Sequence, residues 1–277
     1  MKFKEYPNST SLSDTDAFII DGADGTKHIL TPDAAAALVG SISPKAHSRI
    51  FRGKNLGSTV TDEQKATIRD GSFKDLFLGD YWVINNVTWR IVDMDYWYNT
   101  YTADYEYFKS HHLVIMPDTC LGYATMKDDG TTTGGYVGSD MYKTGLSSAK
   151  TTITNAFGDL VLTHGEYLVN AVSNGKPSGA ALKASTVEIP SEIMMYGTNI
   201  YSPGNDGTTV PELYTYCKTQ LALFDVAPRY IVVEDDYYWL RDVVSSDRFA
   251  GVHYLGVAYW FCAYSGGGGV RPYFCIG

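Results

Sequence analysis

The chain has 277 residues, 44% of them hydrophobic and 19% charged, enough to bury a sizeable core, which excludes a largely disordered protein. Lys and Arg number 22 against 31 Asp and Glu, and the resulting net charge of −9 makes nucleic acid and anionic lipid poor partners. No apolar stretch has the length of a signal peptide or a membrane span, and Cys120, Cys217, Cys262 and Cys275 lie too far apart for a zinc module, so they read as packed thiols.

In chain order, residues 11–25 alternate polar and apolar and carry two turn candidates, Asp21-Gly22 and Asp24-Gly25, which predicts a small hairpin. Thr31-Pro32-Asp33 then supplies an N-cap, a proline at the first helical position and an early acid, ahead of an Ala-rich helix that Gly40 stops. Residues 41–48, with Pro44, read as a linker, so 1–48 is taken as an attachment or oligomerisation segment and 49–277 as the main domain.

Thr61 with Gln64 three residues on forms a capping-box pattern for a helix ending at Gly71. Tyr81 to Ile84 and Val87 to Val92 flank Asn85-Asn86, whose tolerance of positive φ suits a two-residue hairpin turn. A strand is predicted over His112 to Met116. Helices follow over Asp140 to Phe157, stopped by Gly158, and from Ser191 to before Gly197. Short strands are predicted over 230–233, 237–241, 249–252, 257–263 and 270–276. The pattern is α+β, with helices in the first two thirds and strands concentrated at the end.

Tyrosine is the unusual component, at 22 residues. It suits half-buried strands, and it equally suits recognition surfaces, where it offers a rigid amphipathic face at low entropic cost.

Tyr238-Trp239-Leu240-Arg241-Asp242-Val243, followed by Gly269-Val270-Arg271-Pro272-Tyr273-Phe274, resembles the C-terminus of C-type-lectin-fold proteins of the formylglycine-generating type. More narrowly, it is similar to variable proteins of diversity-generating retroelements and their relatives in bacteriophage tails. Gly79-Asp80-Tyr81-Trp82 with Val87-Thr88-Trp89-Arg90-Ile91 resembles the opening hairpin of the tail-protein members. Residues 13–26 resemble the leader of virion-attached structural proteins.

The resemblance implies a C-type-lectin-like domain with short twisted antiparallel strands and a few flanking helices. It implies a receptor-binding protein of a phage tail, made in the bacterial cytoplasm and carried on the virion at a tail tip or fibre. A bacterial surface protein or glycan would be its partner, and other tail proteins would meet its N-terminal segment in a homotrimer. Neither a cofactor nor a metal, nucleic acid or membrane insertion is implied.

In such proteins diversified positions sit among fixed small residues. Here Ala250, Gly256, Ala258 and Ala263 punctuate Gly251, His253, Tyr254, Leu255, Val257, Tyr259, Trp260, Phe261, Cys262, Tyr264, Gly266 and Gly268, in a variable region at about 247–268. Adenine replacement in AAC or AAT template codons cannot produce Lys, Glu, Gln, Met or Trp, and each position except Trp260 holds a permitted residue. The run follows neither strand alternation nor helix period, and a core would use more Ile, Leu and Val. Two core strands around Gly256 remain the alternative to an exposed recognition face.

Trp239, Arg241, Arg271 and Pro272 are expected to be scaffold. Trp239 would anchor a core beneath the two arginines, whose planar multi-donor groups can tie carbonyls or carboxylates of neighbouring strands together.

Catalysis finds little support. Cys262 and Cys275 are too far apart to match the cysteine pair of the formylglycine-generating relatives. Glu234-Asp235-Asp236 could supply the paired carboxylates of glycan hydrolysis, although adjacent acids before a strand usually face solvent. His111-His112 cannot chelate one ion from opposite strand faces, His164-Gly165-Glu166 has no partner at helical spacing, and Asp128-Asp129-Gly130 lacks the other ligands of a calcium loop. A tail enzyme acting on surface glycan and a purely structural tail component are the rival readings.

Overall fold

The structure is a computed structural model that describes residues 17–22, 25–30, 44–203 and 219–277, with side chains from residue 46 onward. The expected N-terminal hairpin is β1 (Ala17–Gly22) paired antiparallel with β2 (Gly25–Leu30). The Ala-rich helix expected over 31–40 lies outside the described residues. The expected linker is not extended throughout. Residues Pro44–Arg49 form a 3-10 helix, and His47 buries its ring on Phe77 with Nδ1 2.9 Å from the Leu76 carbonyl.

Helix α1 (Asp62–Arg69) begins at the expected capping box. The Thr61 hydroxyl accepts from the Gln64 amide, and the Gln64 side chain accepts from the Thr61 amide. Strands β3 (Tyr81–Ile84) and β4 (Val87–Met94) pair across Asn85 and Asn86, at φ 52° and 62°, the double left-handed geometry of a tight hairpin. Next comes β5 (Leu113–Pro117).

The helix expected over 140–157 is split. Residues Met141–Gly145 make a π turn, and α2 (Ser147–Phe157) runs to Gly158 at φ 54°. Short strand β6 (Val161–Leu162) leads into the long hairpin of β7 (His164–Ser173) and β8 (Lys176–Ser185), then β9 (Val187–Glu188) and α3 (Glu192–Tyr196), capped by Ser191 and ended by Gly197.

After α4 (Ala222–Val226), the strand expected over 230–233 is instead a 3-10 helix, Pro228–Ile231. Proline leads that turn, and the carbonyls of Tyr230 and Ile231 are taken by Arg271 rather than by a strand. Strands β10 (Tyr238–Val243), β11 (Arg248–Val252), β12 (Ala258–Cys262) and β13 (Tyr273–Ile276) complete the chain.

The fold is mixed α and β, and every pairing between named strands is antiparallel. The main sheet runs β3-β4-β5-β13-β6, with β9 also on β13, while β10-β11-β12 form a separate sheet. Alternation splits the core. Leu113, Ile115, Phe274 and Ile276 face a cluster containing Ile68 of α1 and Ile153 and Phe157 of α2, whereas Val114, Met116, Tyr273 and Cys275 face Met194, Leu223 and Phe224 of α3 and α4.

The small sheet is divided the same way. Tyr238, Leu240, Ala250 and Val252 join the second cluster, and Trp239, Val243 and Phe249 join a third with Met126, Tyr136 and Met141. Strands are thus not concentrated at the end of the chain as the sequence pattern predicts: the long β7–β8 hairpin adds strand to its middle.

Candidate functional site

The scaffold arginines are buried and each is held by several hydrogen bonds. Arg271 donates Nε to the Pro117 carbonyl at 3.0 Å, Nη1 to Ile231 O and the Tyr238 hydroxyl, and Nη2 to Tyr230 O, so one guanidinium links three chain segments. Arg241 reaches Glu166 Oε2 at 2.5 Å and the Tyr273 hydroxyl at 2.6 Å, and His164 Nε2 lies 2.6 Å from Glu166 Oε1.

Burial would raise the Glu166 carboxyl, but the charge of Arg241 and the contacts with His164 and Tyr273 hold it well below its ordinary range. Glu188, which accepts from Tyr136 and Ser185, is instead pushed up to about 7 by burial and by the Glu166 charge. His164 and Glu166 carry no local signal of this role, because Glu166 meets Arg241 of β10 and Tyr273 of β13, 75 and 107 residues away. Trp239 is fully buried with Nε1 on the Ala124 carbonyl at 2.7 Å, and Pro272 is buried beside Arg271.

On this frame stands an aromatic surface. The β11–β12 connection, residues 253–257, is closed by the His253 amide on Val257 O at 2.9 Å and turns at Gly256, φ 79°. Tyr254, Leu255 and Val257 on it are exposed, as are Tyr259, Tyr264 and Gly266.

The rings cluster around Tyr237, whose centroid lies 4.7 Å from His253, 5.3 Å from Tyr254, 5.9 Å from Tyr259 and 5.7 Å from Phe261. His253 Nδ1 accepts from the Leu255 amide at 3.2 Å, which assigns the neutral Nε2–H tautomer. Its Nε2–H then donates to the Tyr237 oxygen at 3.2 Å and leaves the phenol hydrogen unused within this pair.

The structure sorts the remaining candidates. Residues 258–262 do alternate: Tyr259 and Phe261 share the face of Gly251 and Phe249, while Ala258, Trp260 and Cys262 point to the other. Trp260 is half-buried under Arg248, whose guanidinium carbon sits 3.9 Å from its ring centre. Phe261 is half-buried, packed 4.9 Å from Trp239, and so belongs partly to the core.

Gly251 and Gly268 are buried and do not belong to the exposed set. A Cβ at Gly251 would stand 2.1 Å from the Phe261 ring, and one at Gly268 2.3 Å from Trp239 Nε1. Of the small residues expected to be fixed, Ala250 and Ala263 are buried and Gly256 and Ala258 half-buried.

Three contributors escaped the sequence reading. Tyr237 directly precedes the quoted motif, Tyr123 is brought in by an isolated bridge to Gly269, and Val232 lies against the Gly256 turn. The Tyr123 hydroxyl donates to Asp236 Oδ1 at 2.5 Å, a contact that raises the phenol above its usual range, while Glu234 and Asp235 are exposed. Cys120, half-buried in the same region, is pushed up to about 12 by burial and the Asp236 charge, which makes it a poor nucleophile.

A second exposed aromatic pair, Tyr105 and Tyr107, sits on the loop after β4, remote in sequence from the first. Among the described residues no group of three or more His, Cys, Asp or Glu could hold a metal ion, and no helix is long and apolar enough to cross a membrane. Comparison with protein-family models, curated proteins and solved structures finds no match to this chain.

Proposed function

We propose that the chain is a ligand-binding protein that presents the 253–264 aromatic surface to molecules on a bacterial cell, as a receptor-binding protein of a phage tail built on a C-type-lectin-like domain. One observation carries the reading: Tyr254, Leu255, Val257 and Tyr259 are exposed on one hairpin whose base is fixed by buried Trp239 and Phe249, and exposed Tyr264 follows in the turn after its second strand. Apolar and aromatic side chains gathered this way are unfavourable in water without a partner and are the residue types of binding hot spots. Diversification at these positions would alter the ligand face while Arg241, Arg271 and Pro272 keep the frame.

Virions or purified protein carrying Leu255→Ala or Tyr259→Ala should adsorb to host cells about tenfold less well, with an unchanged unfolding midpoint. Unchanged adsorption overturns the reading. Phe261→Ala is a poorer probe, because its contact with Trp239 makes a folding defect part of the result. Deep sequencing of the gene across a growing population tests the diversification. Substitutions should fall on 253–264 and spare Gly251 and Gly268, and a uniform sequence removes that part of the proposal.

A further inference from the structure

Resting on the proposed binding role, we infer that the partner surface seated on this aromatic face is cationic, a protein surface bearing lysine or arginine. The rim is predominantly acidic. Glu234, Asp235 and Asp236 border it at Tyr237 and Val232, the latter packed on the Gly256 turn. Exposed Asp128 and Asp129 border it at the far end, where Tyr264 touches Gly130.

The nearest cations are already engaged. Lys127 is bound to Asp129 at 3.0 Å and to the Thr133 carbonyl, and Arg248 covers Trp260 on the opposite side of β12. Elsewhere the chain lays its own cations on rings, Arg52 over Phe77, Arg229 over Phe51 and Lys109 over Tyr107. Among the described residues none covers Tyr237, Tyr254, Tyr259 or Tyr264. Tyr254, Tyr259 and Tyr264, although Tyr254 packs on His253 and Tyr259 on Trp260, still expose ring surface to a cation from outside, and the rim carboxylates attract that cation before contact.

A blocked tetralysine peptide and its tetraglutamine counterpart, titrated against the whole protein by tryptophan fluorescence at about 20 and about 200 mM salt, test this. Tetralysine should bind about tenfold more tightly, with the preference shrinking at the higher salt and lost in Tyr259→Ala and in the Glu234→Gln/Asp235→Asn pair. Equal binding of the two peptides, or a tetralysine preference that survives Tyr259→Ala, overturns the cationic partner. If the peptides bind equally while Leu255→Ala and Tyr259→Ala still lose host adsorption, the binding role stands with a neutral partner such as glycan. If those variants adsorb normally, the binding role itself falls.

Discussion

At the scale of single residues, two kinds of position decide what can change. Gly251 faces the Phe261 ring and the Tyr238 carbonyl, and a Cβ there would meet them at 2.1 and 2.9 Å. The first obstacle can swing aside only by leaving Trp239, and the second is backbone. Gly251→Ala should therefore cost about 1–3 kcal/mol in denaturant unfolding, and a loss near zero would mean that Phe261 is free to move.

Glu188 is the other kind, a buried acid whose folded value is lifted to about 7 from an ordinary 4.5; Asp93, also buried and also lifted to about 7, behaves alike. Between those values the folded chain keeps protons that the unfolded chain releases. This part of the stability is complete below about pH 4.5 and is lost as pH rises through about 7. Glu166 runs the opposite way, its contribution failing only in strong acid. The melting temperature should fall between about pH 5 and about pH 8, and Glu188→Gln, which keeps the shape of the neutral acid, should flatten that fall. An identical slope in the variant would remove Glu188 as its source.

At the scale of elements, local signals were strongest where the physics is local. The Thr61 capping box starts α1 as its spacing predicts, and Thr61→Ala should cost about 1 kcal/mol of unfolding free energy, measured by denaturant titration. The Asn85-Asn86 turn, the Ser191 cap and the Gly158 stop were legible for the same reason.

The β7–β8 hairpin was missed, although Asn174-Gly175 at φ 51° and 71° is a strong turn signal, because Gly165, Pro177, Gly179 and the alanines around them dilute the strand pattern. Residues 258–262 misled in the other direction. An edge strand with aromatics on both faces shows no alternation of polarity, even though its backbone is regular.

At the scale of the whole molecule, the candidate site was legible only in part. The 253–264 surface could be read from one continuous run of aromatic and small residues. Tyr123, Val232 and the acidic rim could not, because they reach it through pairings such as Tyr123 with Gly269, 146 residues distant. The frame behaves likewise: Arg241 and Arg271 were identifiable as scaffold, but the groups they bind, Glu166 and the Pro117, Tyr230 and Ile231 carbonyls, come from three other regions of the chain. A side chain's identity is local information, whereas its partner is a property of the topology.

That topology bears on how the surface could vary. Strand β13 lies inside the main sheet, with β5 along one edge and β6 and β9 along the other, yet in chain order it comes after the whole 253–264 hairpin. A ribosome must read through the hairpin in frame before the strand that joins these segments exists. A codon exchanged within the hairpin leaves that strand intact, whereas a lost base or an early stop removes it and leaves Leu113, Ile115, Val187 and their neighbours without the strand that covers them. Translation thus screens the hairpin for integrity while remaining indifferent to its spelling.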